Sequence, residues 1–494
     1  MTRDITDLRL VPAALTAWAV TAAGIGWGHL AATAAVTAGV AATFAAGWWT
    51  DRKQPVTGRA GLAPVAIAAA AVALVGSGFA VAACLRADAA RHHPLTTSIG
   101  AVVEVVVTPD ETPRVLEGGR TMFRATLARL DGTPTSGAVS VFASGADYVA
   151  IQAGQPAGFR ARVSRPGRRD LTVAVLSATG RPRLGEAAPV YRVAHAIRAR
   201  FADAVRLVLP AQQAALVPAL VLGDTSAVPA QTAKDFRTAG LTHLMAVSGA
   251  NITIVCAAML LSAALLGPRI AVVLAALTLV GFVVVVQPSA SVLRAAVMGA
   301  ITLLAVLTHR RRQALPALAA TVIALMVATP RLAVDVGFAL SVAATAGLIL
   351  IAPGWSQRLV RRGWPRPLAD AVSVALAAQL VTAPLVAGVS GSVSLVAVIA
   401  NMLVAPAIPP ITLIGTAAAA LCPLWPAGAH LLIRFTGPEV WWLATVARWA
   451  AAVPAAALPV PSGLAGVAVV ALGSCAVAAV WHRGVSGRRD TIVR

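Results

Sequence analysis

The sequence predicts a polytopic α-helical membrane protein of about twelve spans, with an extracytoplasmic all-β, OB-like domain between the third span and the fourth. Three observations carry this expectation. Residues are 58% hydrophobic and only 12% charged, about half the charged fraction of a soluble domain. Apolar runs at 11–30, 61–85, 270–286, 314–329 and 460–481 approach or exceed the ~20 residues that cross a bilayer core. Between 90 and 205 the pattern changes: charges return, and apolar residues alternate with polar ones, the two-residue period of half-buried strands.

The elements follow in order. Apolar segments at 11–30, 31–49 and 61–85 come first. Arg3 and Arg9 could open a secretory signal, but the run behind them is long for one and a second follows at once, so an uncleaved span is expected. The basic loop "TDRKQPVTGR" (50–59) predicts a cytoplasmic side, with the N-terminus inside and residues after Arg86 outside. Strands are predicted at 99–107, 121–130, 138–144, 158–164 and 171–178, separated by "DGTPTSG" (131–137), "GQP" (154–156) and "RPGRRD" (165–170). Five short strands suit a small Greek-key barrel of OB type, with a small sandwich as the alternative.

Residues 207–242 read as an amphipathic or interfacial stretch that Pro and Gly divide into short helices. Spans follow at about 241–266, 270–287, 290–308, 314–329, 332–352, 368–387, 392–423, 431–453 and 458–482. With them, the basic loops "HRRRQ" (309–313) and "RLVRRGWPR" (358–366) and the basic tail all fall on the inside. The expected organisation is an N-terminal helical part (1–89), the β domain (90–205), a membrane domain with an amphipathic lead-in (206–482) and a cytoplasmic tail (483–494).

The formal net charge of +21 has two competing causes, positive-inside loops and attraction of a polyanion. Almost all the basic residues are Arg; Lys occurs only at Lys53 and Lys234. The β domain holds more Arg than acids, and Arg124, Arg129, Arg160, Arg162, Arg165, Arg168 and Arg169 are its candidates for contacting nucleic acid. An OB barrel with such a face can track a single strand, its aromatics stacking on bases. Aromatics are sparse here (Phe123, Phe142, Tyr148, Phe159), and a solvated basic face is the competing explanation. Cys84, Cys256, Cys422 and Cys475 all lie in apolar runs without a CxxC, so neither a disulfide framework nor a zinc-thiolate site is expected.

Ionisable and strongly polar groups at membrane depth are expensive, which makes each a functional candidate. The set is His243, Ser248, Asn251, Arg294, Asp335, Gln379 and Asn401, with Gly249 as a flex point. A pair between Arg294 and Asp335 would neutralise two costly charges; its competing role is architectural. Gln379 and Asn401 each also suit plain interhelical hydrogen bonding. Chain breaks are expected beside these residues, at Gly249, at Pro384 and at "APAIPP" (405–410).

Four blocks follow in order: "LVLGDTSAVPAQTAKDFRTAGLTHLMAVSGANITIV" (220–255), "PSASVLRAAVMGAI" (288–301), "DVGFALSVAATAGLIL" (335–350) and "AQLVTAPLVAGVSGSVSLVAVIANMLVAPAI" (378–408). Together they resemble the ComEC-type competence channel family. The resemblance is dense over 200–425, extends to the β domain at 95–190, and implies passage of one DNA strand across the bacterial cytoplasmic membrane during natural transformation. It implies single-stranded DNA and membrane lipid as partners, a DNA receptor protein, and no catalytic role for this chain. Members often carry a metallo-β-lactamase-like domain with HxHxDH; no such motif occurs here, so a separate nuclease is expected. No metal or other cofactor is expected, and His92-His93 is too little for a metal site. No GxxxxGK[ST] occurs, so a separate ATP-driven motor is expected. "SGAN" stands where the family commonly has "SGLH", so Asn251 replaces a histidine, and "DVGF" replaces "DPGF". Two other functions compete: a transporter of small solutes or lipid-linked substrates, and an intramembrane hydrolase using Ser248 and His243.

Overall fold

The computed structural model describes residues 7–52, 62–116, 118–308 and 313–486. Most of the basic loop 50–59, nearly all of "HRRRQ" and most of the tail 483–494 lie outside the described residues. The chain forms two compact units, Met1–Ala196 with Leu315–Asp335, and Ile197–Ala314 with Val336–Arg494. The boundary at Ala196 falls inside the helix Pro189–Val208, and the segment 315–335 is part of the first unit.

Among the described residues, seven helices are long and apolar enough to cross a membrane: Val65–Arg91, Pro268–Val286, Ala290–Leu307, Val336–Val360, Arg366–Ser390, Ala397–Leu421 and Gly463–Trp481. The expected twelve are therefore carried only to seven. Length explains part of the shortfall. Gly249–Ser262 has 14 residues, about 21 Å of helix against a core of about 30 Å. Val11–Trp27, His29–Ala45 and Ala314–Ala328 are also short. Pro426–Ala452 is long enough but carries Arg434, Glu439 and Arg448.

In the first unit, helices Val11–Trp27, His29–Arg52 and Leu62–Arg91 pack through small residues such as Ala17, Ala32 and Ala83. The third leads into the β domain, whose strands are β1 (Val102–Pro109), β2 (Arg114–Val115), β3 (Arg120–Leu130), β4 (Thr133–Ser144), β5 (Ala157–Ser164) and β6 (Thr172–Leu184). Apart from the two-residue β2, they close a five-stranded barrel in the order β1-β5-β6-β4-β3-β1, antiparallel except for the parallel pair β4–β6. Burial alternates along β1, β3, β5 and the second half of β4, with Val103, Val105, Phe123, Val141, Phe159 and, from β6, Leu176 turned inward.

The turn between β3 and β4 is tighter than the seven residues read from sequence. Leu130 pairs with Thr133, so only Asp131 and Gly132 make the loop, both at positive φ. This is the Asp-Gly hairpin chemistry that matches strand twist. The Asp131 carboxylate also accepts the Glu104 amide at 2.8 Å, tying the turn to β1.

A single turn of helix, Ala146–Val149, plugs the barrel between β4 and β5 with Tyr148, whose ring meets Phe159 edge-on at 5.6 Å. Its hydroxyl is buried without a hydrogen-bond partner, and burial together with Asp147 pushes its pKa up to about 12.

In the second unit the expected break at Pro384 does not occur: Arg366–Ser390 runs straight through it. The break at 405–410 is real but small, one 3-10 turn (Ala405–Ala407) between helices Ala397–Val404 and Ile408–Leu421. The lead-in is indeed a series of short helices, Ala211–Leu222 and Ala230–Thr238 among them. Ala211–Leu222 is not interfacial, however. Residues Ala214 to Leu222 are all buried, the mark of a core helix.

Candidate functional site

The second unit is organised around the end of one helix and the start of another. Ala211–Leu222 ends in a left-handed Gly223, whose amide bonds Ala219 O while Asp224 N returns to Pro218 O. That closure leaves the carbonyls of Leu220 and Leu222 without intrahelical partners. Asn251, 5% exposed, donates its Nδ2 to Leu220 O at 3.2 Å. Arg198 donates Nη1 to Leu222 O at 2.9 Å and to Val285 O at 3.1 Å, and its Nη2 lies 3.7 Å from Asp224. One guanidinium thus serves the C-terminal ends of two helices, where a cation is favoured. Burial lowers the Arg198 pKa and Asp224 opposes that.

The helix Gly249–Ser262 begins beside this junction. Ser248 does not cap it; its hydroxyl donates to Asn251 Oδ1 at 3.2 Å. Gly249 leaves room for Arg294: a Cβ there would lie 2.5 Å from Arg294 Nη2, so any side chain at 249 would push the guanidinium aside. Arg294, 6% exposed, donates Nε to Ser341 Oγ at 2.7 Å, and Ser341 is 3.5 Å from Ser291 Oγ. Gly240, at positive φ, ends Ala230–Thr238 against Ala397, where a Cβ would come within 2.5 Å. Close by in sequence, Ser394 O accepts Gln379 Nε2 at 3.4 Å.

The structure therefore brings together Ser248, Gly249, Asn251 and Arg294, from two separate blocks of the sequence. Gln379 contributes to a second cluster with Ser394. Asn401 donates to the Ala397 carbonyl of its own helix at 2.8 Å, and among the described residues its side chain makes no other hydrogen bond. His243 is exposed on a 3-10 turn, and among the described residues no hydrogen bond joins it to Ser248. Arg294 is held by Ser341 within the second unit, and Asp335 lies 3.7 Å from Arg124 within the first, so the expected pair of Arg294 with Asp335 would span the two units.

On the barrel, Arg124 is engaged by Glu111 at 3.3 Å as well as Asp335, and Arg169 donates to Gly26 O at 3.1 Å. Arg331 pairs with Asp110 at 2.8 Å, so 330–335 is stitched to the barrel by ions of both signs. The side chains of Arg129, Arg160, Arg162, Arg165 and Arg168 are exposed, without ion pairs among the described residues. Arg160 and Arg162 share the outer face of β5, flanked by Glu104 and Val102 on β1 and by Thr179 and Ser177 on β6. The four aromatics of the barrel present no free ring face for stacking. Phe123, Tyr148 and Phe159 are core, and Phe142 is covered by Arg120 at 5.3 Å.

Sequence reading missed Arg198 and its partner Asp224. The available signal was the "LGD" at 222–224, a helix-ending glycine followed by an acid.

These features define a polytopic helical membrane protein with an inserted five-stranded barrel and a polar helix junction in its membrane unit. Residues 220–484 match the Competence protein family, and the chain belongs to it. It is similar to ComE operon protein 3 of Bacillus subtilis (strain 168), 30% identical over 200 residues, 40% of this chain and 25% of that relative. The chain thus covers a quarter of the relative's length. No solved structure matches.

Proposed function

We propose that the chain passes single-stranded DNA across the bacterial cytoplasmic membrane during natural transformation. The observation that carries this reading is the convergence of Ser248, Gly249, Asn251 and Arg294 on one helix start, within the region matched by the competence family. A polyanion needs a wet path with cationic or dipolar contacts, and an arginine held at a helix N-terminus supplies both kinds.

The barrel, read as an OB-type domain outside the membrane, collects the strand. Its exposed Arg160 and Arg162 stand two residues apart on one strand, about 7 Å along the sheet face. With the aromatics in the core, it holds phosphates rather than stacking bases. Arg124 and Arg169 serve the fold. A DNA receptor, an ATP-driven motor and a nuclease act as separate partners, and the chain itself is a conduit rather than an enzyme. The Ser248 hydroxyl is committed to Asn251, which favours the conduit over the hydrolase.

The test replaces the homologous channel of a transformable host with this chain and counts transformants. Transformation restored well above the deletion background is expected; counts equal to that background, with the protein present in the membrane, overturn the reading.

A further inference from the structure

We infer that Arg294 and the first turn of helix Gly249–Ser262 form a binding site for a phosphodiester group. The inference rests on the strand-conducting reading and names where the strand's backbone is gripped. Arg294 is buried to 6% exposure, and its polar partners are neutral: Ser341 Oγ at 2.7 Å and Met298 Sδ at 3.8 Å. Among the described residues no carboxylate comes within ion-pair distance of it. Among those same residues Nη2 makes no hydrogen bond, and it points into the helix start, 2.5 Å from where a Gly249 Cβ would be.

The helix start has needs of the same sign. Ser248 turns its hydroxyl to Asn251, so the first-turn N–H groups have no side-chain cap. A guanidinium beside the positive end of a 14-residue helix is unfavourable for both. A small anion with several acceptor oxygens relieves both at once, taking N–H groups from the helix and from the arginine fork. Ser341, backed by Ser291, holds Nε and so fixes the plane of that fork.

Two variants separate the site from the fold. Gly249→Ala keeps the charge and suits a helix, but its methyl displaces Nη2. Arg294→Gln removes the charge. The full chain, purified and delipidated in detergent, is titrated with an oligothymidylate and, separately, with phosphatidylglycerol, and melting is followed at constant ionic strength. Saturable protection of the unaltered chain by the oligonucleotide, weakened about tenfold or more in both variants, supports the inference. Protection by phosphatidylglycerol alone, with the same weakening in both variants, also supports a phosphodiester site but assigns it to a lipid headgroup. Absence of protection by either ligand, or equal protection of all three proteins, overturns it. The readout needs no import, so failure of transformation and failure of this site are seen separately.

Discussion

Arg198 and Asp224 lie 3.7 Å apart at the point where Ala211–Leu222 ends, and the same guanidinium takes the carbonyls of Leu222 and Val285. The pair therefore joins three segments of the second unit. Arg198→Met strands two buried carbonyls and a partly buried carboxylate, and a loss of about 3–5 kcal/mol is expected. Arg198→Lys recovers little, because one ammonium cannot reproduce the fork. Thermal melting of the detergent-purified chain measures both; a lysine variant as stable as the parent would show the fork to be dispensable.

Asn251 makes a smaller, separable contribution. Asn251→Ala leaves the Leu220 carbonyl buried and unpaired, at a cost of about 1–3 kcal/mol. Ser248→Ala removes only the bond to Asn251 Oδ1 and should cost less. Melting of the two single variants and the double checks the order, and near-complete non-additivity is expected because they share one network.

Much of this arrangement is legible in the sequence, and the parts that are not have physical reasons. Strand alternation between 90 and 205 exposes the barrel, because inward Val, Phe and Leu at period two survive without knowledge of partners. The Asp-Gly turn looks too long in the sequence because Thr133 to Gly137 resemble loop residues, yet they extend β4 on its exposed side. Pro384 does not break its helix, since a helix of 25 residues held by neighbours tolerates one missing N–H. The partners of Arg294 and Asp335 depend on tertiary placement that no spacing reveals, and Ser341 gives no signal as an arginine's anchor. Arg198 is hidden by an amphipathic helix in which a buried arginine looks like any surface arginine.

Tyr148 offers a gain of stability. Its hydroxyl is buried and unpaired, so Tyr148→Phe removes a desolvation cost while keeping the ring against Phe159. A stabilisation of about 1 kcal/mol is expected. A melting temperature lowered by the substitution would mean that the hydroxyl is satisfied after all.

His93 makes the barrel sensitive to mild acid. Its Nδ1 accepts the Leu95 amide at 3.2 Å, which requires the neutral ring, and burial lowers its pKa. The unfolded chain binds the proton first, at about pH 6.5. The stability due to neutral His93 is therefore complete above that pH and is lost as pH falls towards the lowered folded value. Melting at pH 7.5 and 5.5 should show a larger loss for the parent than for His93→Asn, which keeps an acceptor without titrating. Identical losses would remove His93 from the explanation.

The exposed arginines of β5 should bind DNA electrostatically. In the full chain, Arg160→Gln with Arg162→Gln should weaken oligothymidylate binding and flatten its salt dependence by about 0.7 for each phosphate no longer neutralised. Arg169→Gln, whose side chain is held by Gly26 O, should leave the slope unchanged. Equal slopes in all these proteins would make the basic face a solvated surface only.

The decisive measurement is import of end-labelled DNA into a transformable host whose own channel has been replaced by this chain. Cells carrying the unaltered chain should accumulate nuclease-resistant, single-stranded label, while cells with Arg294→Gln, at equal membrane abundance, should retain label only outside. Import undiminished by Arg294→Gln and by omission of the chain would contradict strand conduction through this protein.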